Sequence, residues 1–181
     1  MQLISTTIPE VIILEPTVFG DKRGHFFESF RQDFLEQAGI NAAFVQDNQS
    51  QSKKGILRGL HFQAPPYEQG KLVRVIKGAV LDVAVDIRKS SASYGQYVAA
   101  ELSEDNKRIM WVPPGFAHGF LTLADDTIFS YKCTQYYHPE SESSIRWDSP
   151  SLSIDWGIEA PILSTKDQEA ALFSDFKSPF K

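Results

Sequence analysis

The clearest alternation in the chain runs over Val80-Leu81-Asp82-Val83-Ala84-Val85-Asp86-Ile87-Arg88. In an extended segment, successive side chains point to opposite faces, so Leu81, Val83, Val85 and Ile87 share one face and Asp82, Ala84 and Asp86 the other. The apolar face belongs to a core, and the second face is polar or lines a site. Shorter runs with strand character recur at residues 11–14, 25–30, 72–77, 97–102, 109–112, 120–123 and 127–137. Turn-forming clusters separate them, including Phe19-Gly20-Asp21, Pro113-Pro114-Gly115 and Asp125-Asp126. Many short, evenly punctuated strands predict an all-β sandwich, jelly roll or barrel. Only two segments read as helical. Ser29-x-x-Gln32 has capping-box spacing for a short helix that gathers Phe34, Leu35 and Ala38 and stops at Gly39. Ser164 and Thr165 precede a second, over residues 166–172. Residues 177–181 are expected to fray.

Composition narrows the class. With 181 residues, 42% apolar, the chain suits one domain spanning 1–181 with a substantial core. Eighteen Lys and Arg against 23 Asp and Glu give a net charge of −5, which argues against non-specific nucleic-acid binding. Cys133 stands alone and can form no intramolecular disulfide. The N-terminus has no basic stretch followed by a long apolar run, and no apolar stretch approaches the roughly 20 residues of a membrane helix. A soluble, cytoplasmic protein with no membrane partner is therefore expected.

Chemistry concentrates in Gly55-Ile-Leu-Arg58-Gly59-Leu-His61-Phe-Gln63 and Gly70-Lys71-Leu-Val-Arg74. Arg58, His61 and Lys71 offer a fixed cation, a base that titrates near neutrality and a mobile ammonium. Strict alternation puts Arg58 and His61 on opposite faces, so a shared site requires a bulge, most simply at Gly59. The same residues also fit a surface Arg and Lys flanking a hydrogen-bonded structural His. His118 follows the Pro113-Pro114-Gly115 turn at the start of an apolar strand, where a His is as readily structural as functional.

Gly55, His61 and the later Pro113-x-Gly115-x-x-His118 are similar to the paired motifs of the cupin superfamily, which implies a jelly roll, or double-stranded β-helix. Metal-binding cupins carry a second His where this chain has Gln63, and Glu68 adds only one uncertain carboxylate, so a metal-independent cupin is expected. A closer resemblance spans nearly the whole chain. Asp21-x-Arg23-Gly24-x-Phe26-Phe27-Glu28, Gln46-Asp-Asn48-x-Ser50, Leu57-Arg-Gly-Leu-His-Phe-Gln63, Pro114-Gly-Phe-Ala-His-Gly-Phe120, Tyr131-Lys132 and Tyr136-Tyr137-x-Pro139-Glu140 resemble the dTDP-4-dehydrorhamnose 3,5-epimerase family.

That resemblance implies inversion at C3 and C5 of dTDP-4-dehydro-6-deoxyglucose without a cofactor, and a homodimer that pairs N-terminal strands. His61 matches the base, Tyr131 the acid and Asp167 the partner of His61; Lys71 matches a residue beside the C4 oxygen. Arg23, Glu28, Gln46, Asn48, Arg58, His118, Glu142 and Lys166 match substrate-binding positions, and Tyr137 matches the residue that stacks on thymine. Local alternatives stand beside three of these. Arg23 also suits a surface ion pair with Asp21, Asp167 a helix N-terminus, and Tyr137 ordinary packing at a strand end. Asp82 has the position to support His118. The competing functions are a single-carbon epimerase on the same fold and a metal-binding or non-catalytic sugar-binding cupin.

Overall fold

The computed structural model describes residues 1–181. Two antiparallel sheets face one another as a jelly roll. The first has six strands in the order β1 (Gln2–Ser5), β2 (Ile12–Glu15), β10 (Ile109–Val112), β7 (Lys71–Lys77), β12 (Thr127–Cys133), β5 (Gln46–Ser52). The second has five, ordered β13 (Glu142–Ser144), β6 (Leu57–Gln63), β11 (Phe116–Thr122), β8 (Ala79–Asp86), β9 (Tyr97–Ser103). β3 (Phe19–Asp21) and β4 (Gly24–Phe26) make a separate, exposed hairpin. Two short helices, α1 (Gln32–Gln37) and α2 (Thr165–Gln168), and two 3-10 turns, Pro139–Ser141 and Phe173–Asp175, complete the elements. No helix is long and apolar enough to cross a membrane.

Three apolar layers explain the strand patterns. Between the sheets, Val73, Val75, Val80, Ala84, Met110, Phe116, Phe120 and Phe129 interdigitate. Outside the five-stranded sheet, Leu57, Leu60, Val83, Val85 and Ile87 pack beneath Ile145, Leu152 and Trp156 of the C-terminal segment. Outside the six-stranded sheet, Leu14, Leu72, Ile109 and Trp111 pack with Leu35 of α1 and with Ile40. The alternation of β8 is thus resolved with both faces covered. Its uninterrupted apolar face meets the C-terminal segment, and its mixed face, with fully buried Asp82, looks into the space between the sheets.

Several local expectations require correction. Arg31, and not Ser29, is the N-cap of α1, and it offers no side-chain hydrogen bond; Arg31 instead pairs with Asp33 at 2.7 Å. Ser164 does cap α2 through the Asp167 amide, but the helix ends after one turn at Gln168. The strand expected over 127–137 stops at Cys133 and the one over 25–30 at Phe26. The C-terminus is anchored, since the Lys89 amide donates to the Phe180 carbonyl at 3.2 Å and the Phe180 ring meets Phe62 edge-on at 6.0 Å. Aromatic burial there outweighs the terminal entropy that favours fraying.

Asp86 ends β8 as a buried carboxylate that accepts from the Arg88 guanidinium at 2.7 and 2.9 Å and from Ser91 and Ser93 at 2.6 Å each. Arg88 in turn lies 4.7 Å over the Phe116 ring, bracing the start of β11. Burial alone would raise this carboxyl, but its hydrogen bonds outweigh that and hold it at about 2. A depressed folded-state value stabilises above the unfolded value near 3.8, and the contribution is lost as pH falls through about 2. Urea titrations should therefore find Asp86→Asn less stable than wild type by about 2 kcal/mol or more at pH 6, with the gap shrinking between pH 4 and 2. A pH-independent gap would contradict this assignment.

Candidate active site

At one end the space between the sheets is polar instead of apolar. A cavity of about 160 Å³ is lined by Gln49 and Ser50 of β5, Arg58 and His61 of β6, Lys71 of β7, His118 and Phe120 of β11, and Phe129 and Tyr131 of β12. The Phe120 and Phe129 rings, stacked at 4.1 Å, join it to the apolar interior. His61 and Tyr131 belong to opposite sheets, so they stand on facing walls.

The bulge required to bring Arg58 and His61 together is present. Against β11, His61 pairs with His118 and Arg58 with Phe120, so Gly59 and Leu60 together oppose the single residue Gly119. Gly59 has φ +129°, and a Cβ there would lie 2.5 Å from the Gly119 Cα. The two glycines let the backbones of β6 and β11 touch.

His61 Nε2 lies 2.5 Å from Asp167 Oδ1. The Ser164 hydroxyl donates to Asp167 Oδ2 at 2.7 Å and accepts from the Asp167 amide at 3.2 Å, so the cap of α2 also satisfies the carboxylate. Burial tends to raise the Asp167 carboxyl, while hydrogen bonds from His61 and Ser164 outweigh it, and the group lies below its ordinary value. The anion is thus the stable form. With Nε2–H donated to Asp167, Nδ1 of His61 carries the lone pair available to take a proton.

A second buried pair lies behind the first. His118 Nε2 meets Asp82 Oδ1 and Oδ2 at 2.9 and 3.1 Å, as expected for a carboxylate supporting that His. Burial holds the His118 imidazolium down, against the pull of Asp82. Burial also lowers the Lys71 ammonium and raises the Tyr131 phenol. Arg58 donates only to the Ser52 hydroxyl, at 3.3 and 3.4 Å. Its charge is left for an anion.

The other predicted residues cluster beside the cavity. Tyr137 donates from its hydroxyl to Glu142 Oε2 at 2.8 Å and from its amide to Gln46 Oε1 at 2.8 Å. Lys166 pairs with Glu142 at 2.5 Å, and Gln46 donates to Asn48 at 3.1 Å. Burial would raise the Glu142 carboxyl, but bonds from Lys166 and Tyr137 bring it below its ordinary value. Arg23 and Glu28 are not among them. Arg23 is exposed on the β3–β4 hairpin, pairing with Asp21 at 2.5 Å, and Glu28 faces Arg31 at 3.7 Å. The lining residues Ser50 and Phe129 are not among the predicted site residues, although two-residue spacing from Asn48 and Tyr131 puts them on the same strand faces. Nowhere do three His, Cys, Asp or Glu side chains gather as a metal site would need.

The sequence model described as dTDP-4-dehydrorhamnose 3,5-epimerase matches residues 5–175, and the chain belongs to that family. It is similar to the dTDP-4-dehydrorhamnose 3,5-epimerases of Shigella flexneri, 52% identical over 97% of each chain, and Salmonella typhimurium, 55% identical over 95% of each. A crystal structure of dTDP-6-deoxy-D-glucose-3,5-epimerase from Legionella pneumophila, in complex with dTDP-4-keto-L-rhamnose, superimposes with a TM-score of 0.93 at 51% identity, covering 97% of this chain and 94% of that one. A 3'-monoepimerase from Streptomyces bikiniensis, in complex with dTDP-quinovose, superimposes at 0.89 with 30% identity, covering 94% and 87%. The fold alone therefore does not separate one inversion from two.

Gly59→Ala tests the bulge. The added methyl meets backbone at a φ that side chains rarely adopt, so the variant should lose about 3 kcal/mol or more in chemical denaturation. Wild-type stability would mean that the close approach of β6 and β11 is not needed.

Proposed function

We propose that this member of the dTDP-4-dehydrorhamnose 3,5-epimerase family inverts C3 and C5 of dTDP-4-dehydro-6-deoxy-D-glucose to give dTDP-4-dehydro-L-rhamnose, without a cofactor. The observation that carries the proposal is the placement of His61, backed by Asp167, and Tyr131 on opposite walls of one cavity with Lys71 beside them. Both carbons flank the C4 ketone. His61 Nδ1 takes the C–H proton, and the electron pair moves into a C=C bond as the C4 carbonyl becomes an enolate. The Lys71 ammonium stabilises the developing negative charge on O4 in a partly desolvated setting. Tyr131 then gives its phenolic proton to the opposite face of the same carbon while the enolate collapses to the ketone. Proton exchange with solvent returns both groups to their starting forms before the second carbon reacts.

Binding follows from the remaining charges. Arg58 and Lys166 offer donors for the diphosphate and sugar, with Gln46, Asn48, His118 and Glu142 fixing polar contacts and Tyr137 stacking on thymine. One domain over 1–181 carries this chemistry, and buried, unpaired Cys133 suits the cytoplasm. The exposed Phe19 and Phe26 of the β3–β4 hairpin suit burial against a second copy in a homodimer, which would let Arg23 and Glu28 reach the partner's nucleotide.

Incubation with the substrate in deuterated water should put one deuteron at C3 and one at C5, with inverted product recovered by a downstream reductase. Exchange at one carbon would assign a single-site epimerase, and no exchange would leave a binding module. His61→Ala and Tyr131→Phe should each lower kcat by about 10²–10⁴-fold. Lys71→Met should lower kcat by about 10²-fold with a smaller change in KM. Because burial lowers the Lys71 ammonium, activity should fall on the basic side at a pH below the ordinary lysine value of 10.5, as that charge is lost. A basic limb that stays in place in Lys71→Met would contradict the role.

Mixing Arg23→Ala with His61→Ala chains tests the dimer. A shared site predicts recovery of about a quarter of wild-type activity, since half of randomly formed dimers then hold one intact site. Two inactive variants that stay inactive when mixed would refute it.

A further inference from the structure

Gln63 closes β6 at the position where metal-binding cupins carry a second histidine, and the residue is only 4% exposed. All its hydrogen bonds go to the backbone of two loops. Nε2 donates to the Tyr67 carbonyl at 2.6 Å and to the Tyr136 carbonyl at 3.2 Å, and Oε1 accepts from the His138 amide at 2.7 Å. Only a carboxamide suits this set. A carboxylate cannot donate to two carbonyls, and an imidazole cannot serve three such partners.

The grip falls on the residues immediately before and after Tyr137. A second tie joins the same loops, since the Tyr67 and His138 rings stack at 3.7 Å and 8°. The Tyr137 amide is fixed by Gln46, and its hydroxyl by Glu142. Its ring nevertheless stays 52% exposed. A large aromatic ring held this firmly by backbone and left uncovered is prepared for a flat ligand, because ordering costs are met before binding.

We propose that Gln63 is a positioning residue for the nucleotide: its buried carboxamide clamps residues 136 and 138 so that the Tyr137 ring is already set to receive the base of a nucleoside diphosphate. This rests on the assignment of Tyr137 as the thymine-stacking residue. Gln63 itself touches no reacting atom, so its loss acts on binding and spares the proton transfers.

The probe is thymidine diphosphate, titrated calorimetrically into wild type, Gln63→Met, Gln63→Glu, Tyr137→Ala and the Gln63→Met/Tyr137→Ala double variant, with kcat and KM measured alongside. Loss of a base-stacking contact weakens binding by about tenfold, and both Gln63 variants should show a rise in Kd of that order with kcat reduced less than about threefold. The double variant should bind no more weakly than Tyr137→Ala, because Gln63 acts through that ring. Wild-type Kd in folded Gln63 variants beside a weakened Tyr137→Ala would overturn the proposal, as would additive losses or a loss confined to kcat. Wild-type Kd in Tyr137→Ala would instead remove the stacking assignment, and this proposal with it. Amide exchange in the wild type covers variants that fail to fold. Slow exchange of the His138 amide without nucleotide supports the clamp, and protection that arises only with thymidine diphosphate overturns it.

Discussion

A carboxylate taken out of water must be met by donors or it gives up its charge, and Asp167 is such a group, with its side chain 3% exposed. It lies 106 residues beyond its partner His61, and the chain returns across the outer face of the five-stranded sheet to deliver it. Ile145, Leu152 and Trp156 bury apolar surface along that path, which stabilises a segment with almost no regular secondary structure of its own. The Ser164 cap then supplies the second donor. Packing of the C-terminal segment and the orientation of His61 are therefore one arrangement: a change that loosens the first withdraws the anion that holds the second.

The space between the sheets is divided by the same logic. Where β2, β10 and β9 lie it is filled by apolar side chains, whereas the β5–β6 end carries polar groups around a cavity. Leaving that end unfilled costs stability, and the three apolar layers offset the cost. Exclusion of bulk water in turn makes each charge there count for more. Burial depresses the Lys71 ammonium and the His118 imidazolium and raises the Tyr131 phenol, so the cavity holds poised groups around a fixed Asp167 anion.

The legible parts of the sequence were those where one face is apolar. β8 follows from alternation alone, and the bulge at Gly59 from the need to bring Arg58 and His61 together. β5, Gln-Asp-Asn-Gln-Ser-Gln-Ser, has no apolar residue, since its inward face lines a polar site and its outer face meets water, and so no hydrophobic period announces it. The capping-box spacing of Ser29 and Gln32 does not cap α1, because the two have the right spacing without the geometry, while the Arg31–Asp33 pair occupies the turn. The site showed a similar divide. Family-like motifs singled out His61, Lys71, Tyr131 and Asp167, which the fold gathers, but sequence order could not reveal that Arg23, on the β3–β4 hairpin, and Glu28, in the loop after it, sit outside the chain's own cavity.

The central claim is that base and acid act separately from opposite walls, and deuterium exchange by Tyr131→Phe in deuterated water tests it most directly. With His61 and Asp167 intact and the phenol gone, the account predicts that substrate takes up deuterium beside the ketone with its configuration retained, because His61 returns a solvent deuteron to the face it deprotonated. Inverted, deuterated product at the wild-type rate would show that another group supplies the second proton and would contradict the account.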